Sequence, residues 1–340
     1  DSMKKITLKE IAQYFGVSIS TVSKAINDSH EISDGLKAKI QQFAKDNKYR
    51  PNKVALSLLQ RKTKTIGVVV PNILNYFFTQ VFSGIEKVAN EHGYILLSCI
   101  SDESYEKEVA TLEFLGGGTV DGLIVSMAEE TQFRNKLEHF QNILDEQIPL
   151  VMFDRVSDEI SCDKVIVDDF EAGYKTTKYF LNLGCTTVAL VTAIDHSSVG
   201  RLRVEGYKKA LAEAGIPFDD KLILRVGKED DMEVLLTFLL NYKSIDSIMA
   251  LDEITAVEVL KLIKARGYRV PEDISVIGFT NGKLSRYVSP ALTAVSQHGT
   301  YIGETAAKVL IERMESKEYL DCTTKVIKTS LIVRDSTKRV

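Results

Sequence analysis

Apolar residues recur at helical spacing in three short stretches near the start of the chain. Leu8, Ile11, Ala12 and Phe15 form the first, Val22, Ala25 and Ile26 the second, and Leu36, Ile40, Phe43 and Ala44 the third. Each has a start signal. Thr7-x-x-Glu10 has capping-box spacing, and Ser18 and Ser33 stand at N-cap positions. Gly16 supplies a turn, and Pro51 marks a break beyond the third helix. From Thr65 the pattern changes. Apolar runs at 66–70, 95–100, 122–126 and 149–153 read as buried strands, with helical patterns at 78–94, 103–114 and 132–146 between them. A second set follows after Val165. Its helices are expected at 171–183, 202–214, 231–241 and 254–266, and its strands at 187–192, 222–226, 246–250 and 274–277. Strands alternating with helices imply parallel sheets, and two sets imply two α/β subdomains.

Two short helices joined around a glycine form the helix-turn-helix pattern. In the second helix Ser20 and Lys24 are i,i+4 neighbours opposite Val22, with Ile19 beside them in the first turn. On a helix laid in a major groove, Ser meets a base edge, Lys donates to guanine and Ile touches a thymine methyl. The plainer reading is a small helical bundle with a solvated basic face. The order Thr7-Leu8-x-x-Ile11-Ala12-x-x-x-Gly16-Val17-Ser18-x-x-Thr21-Val22-Ser23-Lys24-x-x-Asn27 closely resembles the headpiece of the lactose/galactose-repressor family. The resemblance continues through Tyr49-Arg50-Pro51-Asn52-x-Val54-Ala55-x-x-Leu58 into Ile66-Gly67-Val68. It implies base reading by Ile19, Ser20 and Lys24, with Thr7, Ser18, Thr21 and Asn27 as further DNA contacts. Most members have Arg where this chain has Lys24, which makes guanine readout less bidentate.

Residues 52–60 are too short to hold a helix alone in water, and an ordinary interdomain linker is the plain reading. The resemblance implies instead a hinge helix that folds when two copies pair on DNA. Asn52, Lys53 and Ala55 then contact the duplex, and Leu58 wedges into the minor groove and kinks it.

Charge sharpens this division. The whole chain of 340 residues carries a net −4, which alone argues against a nucleic-acid binder. Residues 1–64, however, hold thirteen Lys/Arg against six Asp/Glu, a net +7, and the remainder carries −11. A basic head on an acidic body suggests two jobs divided along the chain.

After its headpiece the family carries a periplasmic-binding-protein type I core. This implies three chain crossings between subdomains, expected near 160–165, 290–296 and 320–326. The expected divisions are a headpiece at 1–51, a hinge at 52–64, a first subdomain of 65–162 plus 295–322, and a second of 163–294 plus 323–340. Helix 300–315 would return to the first subdomain, and a final strand at 325–333 to the second. Ligands of open parallel sheets bind beyond the carboxyl ends of strands, so the cleft between the sheets is the candidate site. Its loops offer Asn75, Phe77, Phe78, Ser126, Asp154, Arg203, Asp252, Thr280 and Gln297. Mixed polar groups beside aromatic walls suit a sugar or nucleoside. Arg203-x-x-Gly206-Tyr207 matches the family's effector-binding arginine, and Asp154, Asp252 and Gln297 match other pocket positions. Two residues depart from the pattern: Leu251 replaces an Asn or Thr, and Thr280 replaces a sugar-binding Asp. The plain alternative for each of these residues is a loop cap or hinge contact.

Other chemistries fail on context. Gly116-Gly117-Gly118 lacks the Lys-Ser/Thr of a phosphate loop, the five histidines have no metal spacing, and no nucleophile–base pairing is visible. No catalytic residue, metal or cofactor is expected. The four cysteines are far apart in sequence and read as reduced thiols of a cytoplasmic protein. No run approaches the roughly 18–20 apolar residues of a membrane span. The expectation is therefore a repressor, controlled by a sugar-like effector and binding a pseudo-palindromic operator as a homodimer. No trailing leucine heptad suggests a tetramer. The rivals are a solute-binding protein of the same fold, disfavoured by the basic head, and a regulator whose core senses a phosphocarrier protein.

Overall fold

The computed structural model describes residues 6–49 and 62–338. The chain divides into two compact units, residues 1–63 and 64–340. The hinge residues Asn52, Lys53, Ala55 and Leu58 lie outside the described residues.

The first unit holds α1 (Leu8–Phe15), α2 (Ile19–Ile26) and α3 (Asp34–Asp46). Thr7 and Glu10 complete the expected capping box, and Gly16 ends α1 in the left-handed region at φ +62°. Ser18 caps α2 by accepting from the Thr21 amide. Ser33 occupies the N-cap position of α3, but its hydroxyl accepts no bond from the helix. Ile11, Val22, Ala25 and Ile40 close the small core at full burial, with Leu8, Phe15 and Phe43 packed around it.

The second unit begins with β1 (Thr65–Val70), α4 (Tyr76–Glu91), β2 (Ile95–Ile100), α5 (Tyr105–Gly116) and β3 (Gly122–Val125). The helix expected at 132–146 is two: α6 (Glu129–Arg134) and α7 (Glu138–Asp145). Asn135 sits between them in the left-handed region at φ +48° and breaks the run. Then come β4 (Leu150–Phe153), β5 (Asp163–Val167), α8 (Asp169–Asn182), β6 (Val188–Thr192), α9 (Ser198–Glu213), β7 (Ile223–Arg225) and α10 (Met232–Tyr242). The chain continues through β8 (Ser247–Ala250), α11 (Glu253–Ala265), β9 (Ser275–Phe279), α12 (Lys283–Tyr287), β10 (Thr293–Ser296) and α13 (Gly299–Glu315). It finishes with β11 (Thr324–Ile327) and β12 (Ser330–Ile332).

One sheet has the order β11-β5-β4-β3-β1-β2 and is parallel throughout. The other runs β12-β10-β9-β8-β6-β7, parallel except that β12 lies antiparallel to β10. The three crossings fall later than expected. β5 pairs with β4 in the first sheet, so the chain crosses after Val167. β10 belongs to the second sheet, and α13 then packs on the first. The expected final strand at 325–333 splits, β11 joining the first sheet and β12 the second.

The missed strand β5 has a physical explanation. Asp163 and Lys164 interrupt its apolar pattern, yet both are buried because both are partnered. Asp163 receives Arg313 Nε at 2.6 Å and the Thr323 amide at 2.8 Å, and Lys164 donates to the Ile160 carbonyl at 2.9 Å.

Both subdomains rest on helix pairs that touch through glycine. A Cβ on Gly303 of α13 would stand 1.9 Å from the Val81 carbonyl, and one on Gly84 of α4 would stand 2.0 Å from the Thr300 carbonyl. In the second subdomain Gly206 of α9 and Gly173 of α8 meet the opposite backbone in the same way.

Candidate functional site

In the head, α2 presents its polar side outward. Ile19 is 49% exposed, an unusual place for an isoleucine, and Ser20, Lys24 and Asn27 are exposed beside it. The Lys24 ammonium contacts the Glu31 carboxylate, which that lysine holds below the usual carboxylate range. Thr7, Ser18 and Thr21 are tied into caps. The Ser18 hydroxyl lies 2.8 Å from that of Thr21 and accepts the Thr21 amide at 3.0 Å. Asn27 donates to the Ser23 carbonyl at 3.0 Å. These bonds fix the entry to α2 and leave its exposed side chains on a rigid frame.

In the second unit the cleft between the sheets gathers Asn75, Phe77, Phe78, Asp154, Arg203, Asp252, Thr280 and Gln297 around one cavity. All eight were expected from the sequence. Ser126 is not among the lining residues: it is fully buried at the end of β3, and its hydroxyl has no hydrogen-bond partner. Arg155, Ile194, Val199 and Leu251 complete the wall. Ile194 gave no sequence signal, being one apolar residue just beyond a strand.

The first sheet supplies one wall. Asn75 caps α4, its side-chain oxygen accepting the Phe77 amide at 3.0 Å, which sets Phe77 and Phe78 at the cavity edge. The two rings meet edge to face at 5.3 Å, and both line the cavity. Asp154 follows β4 in the left-handed region at φ +58°. Burial pushes its carboxyl up to about 6, against the attraction of Arg155. Arg155 Nε stands 3.9 Å from that carboxylate, beyond hydrogen-bond range. Arg155 itself donates to Glu103 at 2.6 Å, and its Nε is buried without a partner.

The second sheet supplies the other wall, and here the polar groups are already engaged. Arg203 donates through Nε to Asp169 at 2.8 Å and through Nη1 to the Leu251 carbonyl at 2.8 Å. Its guanidinium lies 4.2 Å from the Phe279 ring centroid. Asp169 was not anticipated: it is 34 residues from Arg203 in sequence and meets it only because α8 packs on α9. Asp252 caps α11, accepting the Thr255 amide at 2.9 Å and the Thr255 hydroxyl at 2.6 Å, so it is both cap and lining residue. Thr280, at φ +74°, donates to Gln297 at 2.8 Å.

Two contacts bridge the walls at the cleft mouth. Gln132 of α6 donates to the Ser198 hydroxyl and accepts the Ser198 amide, both at 3.0 Å. Phe133 meets His196 edge to face at 5.8 Å. The free space inside is about 20 Å³, room for a single water molecule. A larger guest enters only if the walls part. Among the described residues no cluster of three or more His, Cys, Asp or Glu could hold a metal ion, and no helix is long and apolar enough to cross a membrane.

A helix-turn-helix unit with an exposed polar face, followed by two mostly parallel sheets around a polar cleft, is the architecture of a DNA-binding transcriptional regulator. The comparisons with known proteins agree. Residues 7–52 match the model of bacterial regulatory proteins of the lacI family, and residues 177–337 match a periplasmic binding protein-like domain. The HTH-type transcriptional repressor PurR of Vibrio cholerae is 32% identical over 92% of this chain and 93% of its own length. The lac repressor dimer bound to operator and the anti-inducer ONPF has the same fold, with TM-score 0.84 and 22% identity over 98% of this chain and 99% of that one. A lacI-family regulator from Enterococcus faecium with bound ribose superposes with TM-score 0.70 and 27% identity, covering 80% of this chain and 98% of that one. The chain belongs to the lacI family of bacterial regulatory proteins.

Proposed function

We propose that the protein is a repressor that binds a pseudo-palindromic operator as a homodimer and is controlled by a neutral, sugar-like molecule held between the two sheets. The observation that carries this reading is the single cavity fed from both sheets, with Asn75, the two phenylalanines and Asp154 on one side and Arg203, Asp252, Thr280 and Gln297 on the other. A ligand touching both walls binds one relative orientation better than another, and that difference is what couples it to DNA. Ile19, Ser20 and Lys24 read bases; Thr7, Ser18, Thr21 and Asn27 position the helix; and Asn52, Lys53, Ala55 and Leu58 serve the minor groove. A two-fold dimer matches a two-fold site. Asp154 accepts hydrogen bonds from ligand hydroxyls, and Phe77 and Phe78 cover an apolar sugar face. The ribose bound by the Enterococcus faecium relative supports a sugar.

Thermal-shift screening of the full chain with neutral sugars, sugar phosphates and nucleosides tests this, because a specific ligand stabilises by mass action. The expected result is a neutral sugar that raises the melting temperature and changes operator affinity by about 5–150-fold. If only a phosphocarrier protein alters operator affinity, the small-molecule reading is wrong.

A further inference from the structure

The four cysteines are free thiols far apart in sequence, but the sheet brings two of them together. β11 pairs with β5 in parallel register, Thr324 opposite Lys164 and Lys325 opposite Val165. Two places before that register, in the segments leading into the strands, stand Cys322 and Cys162, close enough for Cys322 to act on the Cys162 thiol. Hydrogen bonds hold the strands together up to this point. The Lys164 amide donates to the Thr323 carbonyl at 2.8 Å, and the Thr323 amide donates to the Asp163 carboxylate at 2.8 Å. Arg313 clamps the preceding turn, donating to the carbonyls of Leu320 at 2.9 Å and Asp321 at 3.0 Å.

Side chains alternate across a strand. Asp163 and Thr323 meet on the face toward α13, and Cys162 packs on the opposite face. There Cys162 is 4% exposed, packed with Leu150, Met152 and Ile160, whereas Cys322, just before the edge strand β11, is exposed. An accessible thiol stands near a sheltered one at the entry to neighbouring strands, an arrangement that suits an attacking and a resolving cysteine.

We propose that Cys162 and Cys322 form a reversible redox couple that a hydroperoxide closes into a disulfide. The Cys322 thiolate attacks one peroxide oxygen and the O–O bond breaks. Hydroxide leaves, takes a proton and departs as water, and Cys322 is oxidised to the sulfenic acid. Cys162 then attacks that sulfur and the S–O bond breaks. A second water departs with the proton of Cys162. Two thiols and one hydrogen peroxide become one disulfide and two waters. Burial pushes the Cys162 thiol up to about 11 and shelters it, so the exposed Cys322 is the one that meets the peroxide first. The bond joins the roots of β5 and β11, the two strands after which the chain leaves the first sheet.

The test treats the full chain with hydrogen peroxide, counts free thiols after denaturation, and maps non-reduced peptides by mass spectrometry. The expected result is a fall from four thiols to two, a linked peptide pair containing residues 162 and 322, and recovery of four thiols with dithiothreitol. Cys322→Ser, at an exposed position, should keep its three remaining thiols reduced. Cys162→Ala should leave Cys322 as a sulfenic acid that dimedone traps. A dimedone adduct accumulating on wild-type Cys322 with no linked pair would overturn the proposal. So would linkage to Cys99, to Cys185 or between chains.

Discussion

The Asp154 carboxyl offers a direct measure of how the cleft is built. Its carboxyl rises from 3.8 to about 6 because burial outweighs the nearby Arg155 and Arg203, while Asp169 and Glu103 push in the same direction as burial. A folded-state value above the unfolded one means the native protein binds the extra proton. The contribution to stability is therefore full below pH 4 and is lost as pH rises through about 6. The rise from 3.8 to about 6 corresponds to about 3 kcal/mol between the two limits. Asp154→Asn keeps the shape and removes the charge, so it should stabilise the second unit by up to about 3 kcal/mol at pH 8. The gain should shrink toward zero near pH 4. Urea unfolding of both proteins across this range, followed by far-ultraviolet circular dichroism, measures it. A variant no more stable than wild type at pH 8, or a gain independent of pH, would refute the argument that Asp154 is a charge held in a dry place. The same substitution should weaken the effector, separating a stability gain from a functional loss.

Two further outcomes follow from the packing and from the head. Gly303→Ala drives a methyl into the Val81 carbonyl and should destabilise the first subdomain by about 1–3 kcal/mol or more, measured by thermal unfolding. Lys24→Ala should cost about 1–3 kcal/mol in operator binding and relax specificity at one base pair, measured by fluorescence anisotropy against single-substituted operators. A loss uniform across those operators would make Lys24 a phosphate contact instead.

The sequence was most informative where structure is local. Thr7 with Glu10, Ser18 with Thr21, and the periodic positions around Ile11, Val22 and Ile40 depend on neighbours a few residues away, and they stand as read. The cleft residues were legible because each follows a strand, and parallel strands bring their carboxyl ends to one place. What stayed hidden depends on distant partners. β5 was missed because Asp163 and Lys164 interrupt its apolar run, and the partners that let Asp163 be buried, Arg313 and Thr323, come from the far end of the chain. Asp169 gave no signal because its partner, Arg203, stands 34 residues away in sequence. Ser126 read as a cleft residue because it ends a strand, but it lies under the surface and not on the cavity wall. No pattern of spacing announces that Cys162 and Cys322 are neighbours, since register between strands from opposite ends of the chain is a property of the finished sheet.

The pairing of Arg203 with Asp169 has a consequence for motion. Both residues, the Leu251 carbonyl and the Phe279 ring belong to the second subdomain, and Gly173 lies directly against the Arg203 backbone. When the walls part, this ion pair travels as one piece with the second wall. Opening then breaks the Gln132–Ser198 bonds and the Phe133–His196 contact but leaves the buried charge pair intact. The cleft is a seam between two preassembled halves. Opening also separates Asp154 from Arg203 and Asp169, buried charges that salt screens little, so the seam's resistance should change less with ionic strength than the head's grip on DNA.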